Sequence, residues 1–419
     1  MTAQRPIFSS SQRQSVTHIF IGIDFGTSYT KVSYSYAPSS VPQIHTIDWG
    51  NGDFFKQTIL YIQNDRLYFE KPIGECLEIK YFKYSLIEEK LKNNSVPTKK
   101  SFEEMCCVYF LAHILKQTLE QIKSSLKIEN LDSIKTYVNM GVPLENFYKD
   151  SNKKTKGLYQ DILENAVTLA GGSKVKVELP QNQVLISNLD DVYSEMSYKR
   201  ASLNWHANVY PELAAEILLY HQSKFVPDGV YAVIDVGGGT VDMALFQKET
   251  SSSTKEANKY CIGQKIVPYG IEILNLHKST ELERKLQDEF CKILVEAKKS
   301  GWINQEKFEN IPVFFLGGGA GELYYQTLIK DTTTRLKSAL IFLSFKYDIM
   351  KFINSEEKLL QKNQRLIISQ MLAHHTDDIG DVKGFPDFFT DPPPPTNPNG
   401  PNYEDLMYER AKESGAECD

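Results

Sequence analysis

IFIGIDFGTSYTKVSYS, residues 19–35, and YAVIDVGGGTVDMALF, residues 231–246, are the stretches on which the fold turns. Each is an apolar run that ends in Ile-Asp, passes through glycine and small residues, and resumes as a second run of alternating pattern. Laid over one another, they match Asp24 with Asp235, Gly26 with Gly237, and Lys31 with Asp242. Short apolar runs on either side of a glycine turn predict a β-hairpin. A repeat this long and this widely spaced predicts two duplicated lobes, each opening with a hairpin, rather than a solenoid.

A third glycine cluster lies in IPVFFLGGGAGELYYQTLI, residues 311–329. Here a strand, Val313 to Leu316, is expected to run into Gly317, Gly318, Gly319 and Ala320 and then a helix. A strand, a glycine turn and a helix N-terminus form a receptacle for a polar ligand at the carboxyl end of the strand. Strand-like and helix-like segments alternate through the rest, so the fold class expected is α/β. The division expected is an arm over residues 1–16, a first lobe over 17–215, a second over 216–380 and a tail over 381–419. In that tail Pro392–Pro395 and Asn397-Pro398-Asn399-Gly400-Pro401 cannot build a helix or a sheet interior.

The hairpin turns have the chemistry of a phosphate site. Glycines lack Cβ, so backbone N–H groups can close around phosphate oxygens. Gly26, Thr27, Ser28 and Tyr29 form one turn, and Gly237, Gly238, Gly239 and Thr240 the other. Asp24 and Asp235 would face each other across a cleft, with Asp235 expected to be exposed there. Carboxylates beside a phosphate chain need a cation between them. Magnesium, which binds through one or two carboxylates plus phosphates, suits Asp24 and Asp235 as ligands. Neither a Walker loop nor a GxGxxG fingerprint occurs, which argues against P-loop enzymes and dinucleotide dehydrogenases.

Composition adds bounds. The 419 residues are 41% hydrophobic and 24% charged with a net charge of -6, which gives no reason to expect nucleic-acid binding. Cys76, Cys106, Cys107, Cys261, Cys291 and Cys418 show no zinc or CxxC spacing and read as reduced thiols. The first residues carry no apolar signal segment, and Ala339–Leu343 is too short to span a bilayer. The expectation is a cytoplasmic chain without membrane insertion.

At these residues the sequence resembles the actin, heat-shock-protein-70 and sugar-kinase superfamily. Ile23 to Ser28 looks like its first phosphate motif, Asp235 to Asp242 like its second in the form of DnaK-type chaperones, and Gly317 to Ala320 like its adenosine motif. Weaker likenesses favour the chaperone branch: Thr58 to Ile62, Lys83 to Ile87, Val138 to Pro143, Tyr210 to Ala215, Ala297 to Lys299, and Arg365 to Ala373. The resemblance implies an actin-like ATPase fold, two ribonuclease-H-like lobes around a nucleotide cleft, that binds ATP or ADP with magnesium. It implies Asp235, Glu212, Lys83 and Lys31 as catalytic residues, with Lys298 and Lys299 against adenine and ribose. The activity implied is a slow magnesium-dependent ATPase acting as a conformational switch on a protein partner. The chain departs from the chaperones in Tyr210, where they have a glutamate, and in lacking a peptide-binding domain after residue 380. An actin-like filament former, which would self-assemble, and a nucleotide-binding pseudo-ATPase are the rival readings.

Several residues keep two readings. Lys31 is a surface lysine on the hairpin edge or a charge on a phosphate. Lys83 lies on a solvated helix face or beside the transferring phosphate. Glu212 is an early-helix carboxylate favoured by the dipole or an orienter of water. Lys31 facing Asp242 across the cleft would hold it closed, and Lys31 is expected to matter to the chemistry at least as much as Lys83.

Overall fold

A computed structural model describes residues 16–37, 43–83, 86, 101–129, 131, 133–143, 153–172, 183–186, 204–222, 228–249, 258–267, 269–272, 280–299, 310–319, 325, 344–347 and 365–379. They form a mixed α/β fold with three sheets. The arm, the proline-rich tail and Ala320 lie outside the described residues.

The quoted stretches form hairpins as expected. In the first, β1 (His18–Phe25) pairs antiparallel with β2 (Tyr29–Ala37), setting Asp24 opposite Lys31. In the second, β11 (Gly229–Val236) pairs with β12 (Val241–Glu249), setting Asp235 opposite Asp242. Each hairpin is extended the same way. Alongside β1 run β8 (Lys135–Val142) and then β10 (Trp205–Pro211), both parallel, and β3 (His45–Thr46) and β4 (Lys56–Gln57) pair with β2. Alongside β11 run β14 (Asn310–Leu316) and β15 (Ser344–Tyr347), both parallel, with β13 (Asn258–Val267) antiparallel to β12. β1 and β11 are continuous apolar runs because each is a central strand covered on both faces. The third sheet is small, in the order β7 (Leu77–Lys80), β5 (Ile59–Gln63), β6 (Arg66–Tyr68), β9 (Gln183–Leu185).

Alternation along the strands determines which residues face the middle of the molecule. Ile19, Ile21, Ile23 and Phe25 face an outer core with α1 (Phe102–Leu126) and α2 (Lys153–Val167). Helix α1 starts where Ser101 accepts a hydrogen bond from the Glu104 N–H at 3.3 Å, with Glu103 and Glu104 in its first turn. It ends where Lys127 turns left-handed at φ 54°. On the far side, Ala232, Ile234 and Val236 face a second outer core with α4 (Thr280–Lys299).

Between the two large sheets lie α3 (Glu212–Gln222) and, from the end of the described chain, α5 (Ile367–Leu372), followed by α6 (Thr376–Ile379). Helix α3 packs on Tyr231, Val233, Phe246 and Phe314 of the second sheet, and α5 packs against α3 and the first sheet. The close approach of α5 explains a glycine mid-strand: a Cβ on Gly22 would overlap the Ser369 carbonyl oxygen and lie 2.6 Å from the Leu372 carbonyl carbon. Polar groups on that face are satisfied, Ser33 with Ser369 at 3.0 Å and Asn139 donating to the Leu372 carbonyl at 2.8 Å. The expected boundary at 215/216 falls inside α3. No helix among the described residues is long and apolar enough to cross a membrane.

Candidate functional site

The register of the strands assembles the acidic residues. Asp24 is the penultimate residue of β1 and lies beside Gly141 of β8, and Tyr210 of β10 lies beside Gly141 on the other side. One residue past β10, Glu212 opens α3. Gly141 leaves room for it, since a Cβ there would lie 3.1 Å from Glu212 Cγ. Asp24 and Glu212 thus sit at the carboxyl ends of three parallel strands, the usual edge for ligands in α/β sheets. Asp235 holds the corresponding place on β11, beside Leu316 of β14.

Both lysines are engaged. Lys31 donates to Asp24 Oδ2 at 2.7 Å, and Lys83 donates to Glu212 Oε1 at 3.2 Å and to the Phe25 carbonyl. The Lys83 ammonium also lies 5.3 Å from the centre of the Phe25 ring. Lys83 is therefore buried, not on a solvated face. Lys31 reaches the aspartate of its own hairpin, while Asp242 accepts from Thr240 Oγ1 at 3.2 Å. The closing pair expected between Lys31 and Asp242 does not form, because the antiparallel register puts Asp24 directly opposite Lys31.

The second hairpin is short of cations. Asp235 is buried, which corrects its expected place on an exposed wall, and its Oδ1 has no hydrogen-bond donor. Burial, then repulsion from Glu212 and Asp24, pushes its carboxyl up to about 7, with Lys31 and a hydrogen bond from Glu216 opposing. Glu216, one turn beyond Glu212, is fully enclosed with neither carboxyl oxygen bonded to a donor. Burial and the neighbouring Asp235, Asp242 and Glu212 hold it well above the usual carboxylate range. Asp242 is raised by burial and by Glu212 and Asp235, and Glu212 by burial against the pull of Lys83. Five carboxyls thus share this region with two lysines. Sequence reasoning missed Glu216, although its spacing of four from Glu212 places both on one helix face.

The glycine turns close over this acidic floor. Thr58 fixes the first, its N–H donating to the Ser28 carbonyl and its Oγ1 to the Gly26 carbonyl, both at 2.9 Å. Gly270, Ile271 and Glu272 fix the second by donating to the carbonyls of Gly239, Gly237 and Gly238 at 3.1, 3.0 and 2.9 Å. With those carbonyls taken, the N–H groups of Gly238 and Gly239 have no backbone acceptor among the described residues. Gly317, at φ 78°, lies so close to β11 that a Cβ would overlap Asp235 Oδ1. The two turns touch: a Cβ on Gly238 would overlap Ser28 Oγ, itself buried without a partner. Lys298 and Lys299 end α4, with side chains outside the described residues.

Magnesium and nucleotide phosphates fit the residues present. Asp235 Oδ1 and Ser28 Oγ are buried without partners, the N–H groups of Gly238 and Gly239 have no backbone acceptor among the described residues, and the carboxyls outnumber the lysines. Asp24 and Asp235 would hold the metal with phosphate oxygens. Among the described residues no three carboxylate, imidazole or thiol side chains converge as a ready metal site, and magnesium, with few protein ligands, does not need one. Ser28 Oγ and Gly238 bring the two turns close together.

Comparison with protein-family models and with curated proteins finds no match.

Proposed function

We propose that this chain binds adenine nucleotides with magnesium between two duplicated lobes of the actin-like ATPase type and works as a conformational switch on a protein partner. The observation that carries this reading is the pairing of two glycine-turn hairpins of like sheet order, whose strand-end aspartates Asp24 and Asp235 share one acidic region in which their charges repel. Bound magnesium would supply the positive charge that this floor lacks and neutralise the phosphates.

The chain's own groups divide the rest. Loop N–H groups at Gly238 and Gly239 would receive phosphate oxygens. Lys31, partly exposed, can turn from Asp24 toward a phosphate, whereas Lys83 is held by Phe25 and Glu212 and shapes the wall. Asp235 Oδ1, buried and without a donor, is the acceptor for a proton of an attacking water. Parting and closing of the turns at Ser28 and Gly238 would move the two sheets relative to each other about α3.

The pseudo-ATPase reading has one observation in its favour: Lys31 and Lys83 are both already paired with carboxylates. Calorimetric titration with ATP and ADP, with and without magnesium, paired with phosphate release, separates the readings. Magnesium-dependent binding with turnover is expected. Binding without release selects the pseudo-ATPase, and folded protein that binds no ATP at millimolar concentration ends the nucleotide reading.

A further inference from the structure

Arg365, just before α5, stands where the two halves of the site meet. Its guanidinium carbon lies 4.2 Å from the centre of the Phe55 ring and 5.6 Å from that of Tyr29, the last residue of the first glycine turn. From the second sheet, Gly318 covers it. A Cβ on Gly318 would lie 3.6, 3.7 and 3.8 Å from Arg365 Nε, Nη2 and Cζ. The Phe55 ring and the glycine loop therefore flank the guanidinium. Its Nε is buried without a hydrogen-bond partner.

That combination selects a ligand. A buried N–H left unbonded is costly, so such groups mark positions that something else fills. The edge of a guanidinium, a planar fork of donors, matches the oxygens of a phosphate. Among the described residues no carboxylate pairs with Arg365, whereas Lys31 and Lys83 each hold one. We propose that Arg365 is a phosphate-binding residue of this site, taking an oxygen of the bound nucleotide on its free N–H edge between Tyr29 and Gly318. This rests on the nucleotide reading and adds to the glycine turns a recognition group supplied by the C-terminal helix. Phe55 packs against the guanidinium and helps hold it in place.

The test titrates parent protein, Arg365→Gln and Arg365→Lys with Mg-ATP, Mg-pyrophosphate and adenosine. Arg365→Gln is expected to lose on the order of ten- to a hundredfold in affinity for both phosphate compounds, the range of a charge-assisted hydrogen bond. Its adenosine affinity is expected to stay within about twofold, and Arg365→Lys, with charge but no fork, to fall between. Unchanged ATP affinity in Arg365→Gln, or an equal loss for adenosine, overturns the proposal. Parent protein that binds none of the three overturns the nucleotide reading instead. Should the variants unfold, phenylglyoxal labelling of the parent decides: pyrophosphate is expected to protect Arg365 and adenosine to leave it reactive. Equal labelling with and without pyrophosphate refutes the assignment.

Discussion

Replacing Lys83 with methionine removes an enclosed ammonium and keeps the bulk of its stem. That ammonium bonds the Phe25 carbonyl and Glu212 Oε1, and both partners are buried. Removing one half of a buried ion pair typically costs about 3–5 kcal/mol, because the other charge is left uncompensated. Glu212 is already pushed upward by burial, so in the variant it can escape part of that cost by taking a proton. The loss expected at pH 7 is therefore near the low end, about 3 kcal/mol. Against a typical total of about 5–15 kcal/mol this is readily measured. Lys83→Met/Glu212→Gln leaves no charge behind and is expected to recover at least about half of the deficit. The assay is urea unfolding at pH 7 by fluorescence, with m compared across variants so that a change in midpoint reports stability. A Lys83→Met variant within about 0.5 kcal/mol of the parent would refute the buried pair. So would a double variant no more stable than Lys83→Met alone.

Three further outcomes follow from the same packing. Gly22→Ala pushes a methyl into the Ser369 carbonyl, where only backbone can yield; destabilisation at or above the usual ~1–3 kcal/mol of overpacking is expected, and an unchanged thermal midpoint would contradict the seating of α5. Asp235→Asn removes a buried carboxyl that lacks a donor at Oδ1, so the nucleotide-free protein should gain about 1 kcal/mol while magnesium-dependent ATP affinity falls; a collapse in stability with affinity intact would make the aspartate purely structural. His113, stacked on Phe69 at 4.8 Å, is lowered from 6.5 to about 4 by burial and then by Lys116 and Lys56. The unfolded chain thus takes up this proton first, and its stabilising share is complete above about 6.5 and lost as pH falls toward 4, by up to about 1.4 kcal/mol per unit. His113→Phe should flatten that slope in acid titrations, and an identical slope would acquit the imidazole.

The hairpins were legible because their signal is local. An apolar run, a glycine turn and a second run determine a hairpin within about seventeen residues, and the aspartates then fall at the strand ends by counting. The α/β character was legible for the same reason. Burial was not. Lys83 and Lys80 look alike in sequence, yet Lys80 is exposed beside Glu78 while Lys83 lies inside, because what encloses Lys83 includes Phe25 and Glu212, far along the chain. Lys31 and Asp242 occupy matched places in the repeat, but matching says nothing about partners. The antiparallel register delivered Lys31 to Asp24. Arg365 stood at the head of the closing-helix likeness, which assigned it no role of its own. Its role depends on Phe55, Tyr29 and Gly318, three residues from distant segments that only the tertiary fold brings together.

The seating of α5 has a consequence for how the protein is made. Ser33 meets Ser369 across a separation of 336 residues, and Ser35 donates to the Ala373 carbonyl across 338. The inner face of the first sheet, with its bare Gly22 and its serines, stays uncovered until α5 has been synthesised. At usual elongation rates of roughly 5–20 residues per second, that interval is on the order of half a minute. During it the first sheet, hairpin included, cannot yet be sealed, and such late, long-range closure is slow and exposed to misassociation. Nascent chains arrested before residue 365 should therefore be protease-sensitive throughout the first sheet, and release of the next fifteen residues should protect it in a single step.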